Sequence, residues 1–174
     1  MTAFPPQDLC GFLQLSAGDW LTLRSLLDTD TKGQMEGSPE LAAETVGTHQ
    51  AWHQADRGDL KVRFLEATQL EDWGSLEIAP PDQPCLTLIF RRDGSVLINR
   101  LKGRWQLGAD GSLELEVKEE TRIVKERIWF SKPNLRLRCT LEQFLDGQPG
   151  RASFCSEIRR VSRAPETTEK VSDG

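Results

Sequence analysis

Two Asp-Gly pairs, Asp93-Gly94 and Asp110-Gly111, each separate short apolar runs, and they restrict the fold more than any other feature of this chain. Residues 86–90 and 96–101 flank the first pair; residues 105–107 and 113–117 flank the second. Asp-Gly between apolar runs is the strongest short-range hairpin signal, because both central positions tolerate positive φ. Two further turns are expected at Ser131-Lys132-Pro133-Asn134 and at residues 146–150. From Leu60 onward no long helical crossover interrupts the strands, which excludes a doubly wound parallel sheet. The spacing predicts an all-β chain of about ten antiparallel strands. Closing them as an up-and-down barrel removes exposed edges, and barrels of eight or so strands hold one small ligand inside.

Ahead of the strands, residues 5–16 read as one short helix that Pro5 and Pro6 open, with Leu9, Phe12 and Leu13 at helical spacing. Such an N-terminal helix is a candidate lid or plug. Residues 20–27 alternate weakly, placing Trp20, Thr22 and Arg24 on one face and Leu21, Leu23 and Ser25 on the other. Residues 28–59 are less legible: Ser38-Pro39 resembles a helix start and 48–54 a strand. With 174 residues, the expectation is one domain over 1–161 and a disordered polar tail over 162–174.

Composition excludes several classes. A net charge of −5 does not suit a nucleic-acid surface, and Arg91-Arg92 and Arg159-Arg160 read as solvated faces. No apolar run approaches the length of a membrane span, and the N-terminus has no export-signal pattern. Cys10, Cys85, Cys139 and Cys155 have no C-x-x-C spacing and are expected to be free, buried thiols. No metal site is expected, because the only histidine pair, His49 and His53, lacks a nearby cysteine pair. A serine nucleophile at Ser156 lacks a histidine base, and Ser156 and Glu157 read as structural.

The terminal strands carry charge at alternating positions. Arg136 and Arg138 share one face of their strand, which is either a solvated outer face or the wall of a polar cavity. Both alternatives stay open on periodicity alone, and the usual apolar-in rule favours turning Leu135 and Leu137 inward.

This segment resembles the S/U-type phycobiliprotein lyases, the CpcS/CpeS family of bilin chromophore lyases. The matching strings are residues 126–130 (ERIWF), 133–138 (PNLRLR) and 152–159 (ASFCSEIR), with residues 12–18, Trp20, Arg24, Gly103-Arg104-Trp105, residues 110–113 and Glu120 in family order. The resemblance implies a lipocalin-like antiparallel β-barrel that holds a linear tetrapyrrole non-covalently. It also implies delivery of that bilin, phycocyanobilin or a relative, to a cysteine of an apo-phycobiliprotein α or β subunit. The bilin would be substrate, with no cofactor. The family's pocket pair falls on Glu126 and Arg136 as catalytic residues, with Arg24, Trp20, Arg138 and Trp73 as bilin-binding residues. Arginine forks suit the two propionates, a glutamate near the pyrrole nitrogens could accept their N–H bonds or donate a proton, and Trp20 and Trp73 could stack on the pigment.

If Glu126 and Arg136 line one cavity, strand pairs must sum to 266 across a three-residue loop at Lys132-Pro133-Asn134, and Glu126, Ile128, Phe130, Arg136, Arg138 and Thr140 then share a face. Leu135, Leu137 and Cys139 would point outward, and the N-terminal helix is the expected cover. Where family members carry a histidine three positions after the N-terminal arginine, this chain has Leu27. The family's central W-x-G-x-x-x-W stretch has no clear counterpart beyond Trp52 and Trp73. These departures leave room for two other roles, a lipocalin-like carrier or a partner subunit in a heteromeric lyase. The expected setting is a cyanobacterial cytoplasm, or a plastid in an alga, with a homodimer or a heterodimer with a related lyase both compatible.

Overall fold

The computed structural model describes residues 4–28, 53–80, 84–148 and 150–161, without the side chains of Asp28 and of residues 53–56. A helix, α1 (Leu9–Ser16), precedes ten strands: β1 (Gly18–Asp28), β2 (His53–Glu66), β3 (Asp72–Ala79), β4 (Leu86–Arg91), β5 (Ser95–Ile98), β6 (Leu101–Leu107), β7 (Leu113–Lys118), β8 (Arg122–Lys132), β9 (Leu135–Phe144) and β10 (Arg151–Arg159). Each strand pairs antiparallel with its neighbour in sequence, and β10 closes on β1 to complete a barrel. The expected all-β barrel is therefore the observed one. The readings at Ser38-Pro39, at Trp52 and His49, and in the tail 162–174 lie outside the described residues.

Period-two alternation sets which side faces the core. In β7, Leu113, Leu115 and Val117 are buried while Glu114, Glu116 and Lys118 are exposed. The two Asp-Gly turns form as expected, but with different chemistry. Only the glycines take positive φ, 83° at Gly94 and 76° at Gly111. Each aspartate instead accepts hydrogen bonds two residues on. Asp93 Oδ1 takes the Ser95 N–H (2.8 Å) and hydroxyl (2.6 Å), and Asp110 Oδ1 takes those of Ser112 (3.0 and 2.7 Å). The Ser112 hydroxyl, the Ser112 N–H and Arg127 hold the Asp110 carboxyl down at about 2. The run 96–101 is two strands rather than one, because the chain turns at Asn99, where φ is 51°.

Helix α1 begins later than the prolines suggest. Asp8 is its N-cap, its side chain accepting the Gly11 N–H at 2.7 Å. Leu9, Phe12 and Leu13 are buried, and Phe12 meets Phe130 edge-on at 5.2 Å. The helix therefore plugs one end of the barrel, touching β2 and β3. This corrects its expected role as a cover for the outer side of β9. That side carries its own partial shield: Leu137 pairs across from Trp129, whose ring lies 6.4 Å from Phe154. The cysteines are free, but none is buried: Cys10 and Cys155 are half-buried, Cys85 and Cys139 exposed.

Across β8 and β9 the pairs Phe130↔Arg136, Ile128↔Arg138 and Glu126↔Thr140 hold the register expected for a shared cavity face. The loop that achieves it is shorter than expected. Pro133-Asn134 forms a two-residue turn with Lys132 opposite Leu135, and a bulge at Ser131 restores the pairing sum.

Candidate functional site

The interior of the barrel has two chemically distinct walls. Strands β3, β4 and β5 contribute Leu76, Ile78, Leu86, Leu88 and Ile98 to an apolar wall. Strands β8, β9, β10 and β1 oppose it with charge. Register places Glu126, Arg136, Arg138, Glu157, Cys155 and Arg24 on the inward side: Arg136 pairs with Glu157, and Cys155 pairs with both Arg138 and Arg24. The bridge to known core positions is direct, since Ile128, opposite Arg138, and Leu115, opposite Glu126, are buried.

Arg136 and Glu157 form an ion pair with side chains 2% and 3% exposed, the Nε–H donating to Oε2. Arg138 reaches both carboxylates, with Nη1 3.2 Å from Glu126 Oε1 and Nη2 3.4 Å from Glu157 Oε1. Thr140 Oγ1 donates to Glu126 Oε1 at 3.3 Å. Burial alone would push the Glu157 carboxyl up, yet Arg138 and Arg136 together hold it below its ordinary 4.5. Burial likewise works against the Arg138 cation, and Glu126 and Glu157 outweigh it, so its pKa lies above the ordinary arginine value. Arg138 and Glu157 are thereby held in their charged forms, whereas burial lowers the Arg136 pKa against the pull of Glu157.

It is also under-satisfied. Arg136 Nη2 and Arg138 Nε are buried and have no acceptor. An unpaired buried N–H costs about 1–3 kcal/mol, so two such donors on one wall suit an anionic acceptor from outside the chain. Towards the end of the barrel away from α1 the inward side chains are open to solvent: Arg24 is exposed, and Leu26, Val124, Thr140 and Glu142 are half-buried. A carboxylate-bearing, largely apolar molecule would match both walls.

The structure places the six sequence-derived candidates unequally. Glu126, Arg136, Arg138 and Arg24 converge on the charged wall. Trp20 does not offer a ring face to a ligand, because it is 0% exposed and lies under two guanidinium groups, Arg136 at 4.6 Å and Arg159 at 4.2 Å. Its part is to seat Arg136. Its own Nε1–H donates to Ser16 O at 2.9 Å, while Arg159 donates to Leu15 O and Ala17 O. The helix carbonyls are thus tied to the same indole that packs on the site. Trp73 is not brought to the cluster: it occupies a bulge at the start of β3, under Arg92 at 4.1 Å, half the circumference from β8. Leu27 pairs with Ala152 on the outer row, so the position where the resemblance expects histidine does not face the interior.

Glu157 is the residue that sequence reasoning passed over. The signal was present in the alternation of Ser153, Cys155 and Glu157, which puts the glutamate beside Arg136 once β9 and β10 are paired. A groove of about 640 Å³ crosses the outside of β6–β10. Its walls are the outward rows Arg104, Glu116, Lys125 and Gln106, Glu114, Arg127; Glu126 lies in the middle row between them, whose side chains point the other way. The groove shares Glu126 and Thr140 with the interior cluster. Among the described residues no group of His, Cys, Asp or Glu is arranged to hold a metal ion.

A family model described as CpeS-like protein matches residues 74–160, half of the chain. The chain is 37% identical to chromophore lyase CpcS/CpeS 1 of Paulinella chromatophora, over 93% of this chain and 94% of that one. It is 38% identical to chromophore lyase CpcS/CpeS 2 of Synechococcus sp. (strain JA-3-3Ab), over 93% and 95%. Among solved structures, the S-type phycobiliprotein lyase CpeS of Guillardia theta superposes with a TM-score of 0.59 at 20% identity, over 87% of this chain and 92% of that one, which establishes the shared fold.

Proposed function

This chain belongs to the CpcS/CpeS family of chromophore lyases, and on that premise we propose that it binds a linear tetrapyrrole inside the barrel and attaches it to a cysteine of a phycobiliprotein subunit. One observation carries the substrate class: the buried Arg136 and the half-buried Arg138 each keep a buried N–H donor without an acceptor, and they face an apolar wall across the barrel. A bilin has that polarity, with an extended conjugated body and two propionates. Arg136 and Arg138 take the propionates by charge-assisted hydrogen bonds, and Arg24, nearer the solvent, meets the pigment as it enters. Glu126 accepts the pyrrole N–H groups or passes a proton to the bilin, which makes its ethylidene carbon more electrophilic. Arg138 and Thr140 hold that carboxylate in place.

The lyase contributes orientation and shielding from water, and the acceptor subunit contributes the thiolate. Glu157 pairs with both Arg136 and Arg138 while the pigment is absent. The setting we infer is a cyanobacterial cytoplasm or a plastid; no helix among the described residues is long and apolar enough to cross a membrane.

Incubation with free phycocyanobilin and an apo-phycobiliprotein subunit tests this reading. The expected result is pigment that stays on the subunit through denaturation, at a rate well above that without the lyase. A red-shifted complex without transfer would instead support a carrier. Absence of both, restored by adding a related lyase, would support a partner subunit.

A further inference from the structure

We propose that Cys155 is a point of reversible covalent capture, where the pigment held in the barrel forms a thioether with the lyase itself before or instead of transfer. The proposal rests on the pigment-binding reading above and adds a residue to it. Four thiols are free, and their positions differ in kind. Cys10 lies on α1 with Sγ 3.6 Å from Gln14 Nε2, Cys85 is exposed ahead of β4, and Cys139 is exposed on the outer row of β9. Cys155 faces the interior, directly across from Arg138 on one side and Arg24 on the other. On the same face, Arg136, 2% exposed, and Arg138 present the two donors that lack an acceptor. A ligand whose carboxylates satisfy those donors has its conjugated body beside the Cys155 sulfur.

The step is an addition and balances without a further reactant. The thiol S–H adds across the exocyclic ethylidene double bond of the tetrapyrrole. A carbon–sulfur bond forms at the ethylidene carbon, the π bond is lost, and the proton ends on the ring carbon. Nothing is oxidised or reduced, and no group leaves. The reverse elimination regenerates free pigment and free thiol.

The surroundings make this capture slow near neutrality. Burial raises the Cys155 thiol above its ordinary value, opposed by Arg138 on β9 and Arg24 on β1, and reinforced by Glu157 on its own strand and Glu126 on β8. Since the thiolate is the nucleophile, the rate rises about tenfold per pH unit below the thiol's pKa. Transfer to an acceptor with a more reactive cysteine therefore outruns self-capture at neutral pH.

The test uses the full-length protein with free phycocyanobilin and no acceptor, in the dark, at pH 7 and pH 8.5. Absorption of the native mixture reports non-covalent binding; acid-urea denaturation followed by peptide mass spectrometry reports covalent pigment. The expected result is a bilin mass on the tryptic peptide 152–159, forming more than tenfold faster at the higher pH. The adduct should vanish in Cys155→Ser and persist when Cys10, Cys85 and Cys139 are all replaced by serine. A red-shifted native spectrum with all pigment released on denaturation at both pH values would overturn the capture proposal and leave pigment binding intact. An adduct spread equally over the exposed cysteines would also overturn it. No spectral shift at all would overturn both readings.

Discussion

Arg136 and Glu157 face each other across β9 and β10 as an ion pair whose side chains are 2% and 3% exposed. A pair buried this deeply gains little net stability over an apolar pair of the same shape, but losing one partner strands the other charge. Glu157→Ala should therefore cost about 3–5 kcal/mol of unfolding free energy. Glu157→Gln keeps an acceptor for Arg136 and should cost less. Urea denaturation followed by tryptophan fluorescence measures both.

The same pair fixes a pH dependence. The folded Glu157 carboxyl lies below its ordinary 4.5, so its contribution to stability is complete above that value and is lost as pH falls through the folded pKa. Asp110, held at about 2, acts in the same direction between its ordinary 3.8 and about 2. Denaturation midpoints measured from pH 7 to pH 2.5 should fall for the parent chain below about 4.5. The Glu157→Gln curve should be shallower over the first part of that drop, while Asp110→Asn should flatten its lower end.

Arg159 links the plug helix to the site, donating to Leu15 O and Ala17 O and covering the indole that lies under Arg136. Arg159→Ala leaves two helix-end carbonyls without these partners, a loss of about 1–3 kcal/mol for the local opening of α1. Amide hydrogen exchange at Phe12 and Leu13 should accelerate, with β6 and β7 unchanged.

Gly103 on β6 leaves no room for a side chain between its neighbours on β5 and β7. A Cβ there would stand 2.6 Å from Glu116 O and 2.9 Å from Val117 Cγ2. Gly103→Ala should cost about 1–3 kcal/mol through overpacking, read as a lowered melting temperature.

Much of this was legible in the chain. The barrel is legible because Asp-Gly turns and period-two runs leave few alternatives, and the β8–β9 register is legible once Glu126 and Arg136 share a face, as the resemblance implies. The loop that produces it could not be read, since a bulge at Ser131 and a longer loop give the same pairing sum. The apolar stripe of α1 fits a plug, but it says only that Leu9, Phe12 and Leu13 are buried and not against what, so a seat at the barrel end rather than over β9 is not legible in it. The resemblance and the capacity of an indole to stack on a tetrapyrrole point Trp20 at the ligand; its burial under Arg136 and Arg159 is a property of the closed barrel, invisible in one strand. Glu157 was missed for the opposite reason. Its partner lies 21 residues earlier, and only strand pairing brings the two together.

If the guanidinium donors of the charged wall take the carboxylates of a tetrapyrrole, Arg138 is the most direct place to test it, since its side chain is 19% exposed and its Nε is unpaired. The measurement is an absorption titration of free phycocyanobilin into the parent chain and into Arg138→Met, with thermal unfolding confirming that both are folded. The parent should give a red-shifted, saturable complex, and Arg138→Met should bind about 10–100-fold more weakly, the range expected for a lost charge-assisted hydrogen bond. Equal affinity in the two proteins would contradict the claim that the charged wall holds the pigment.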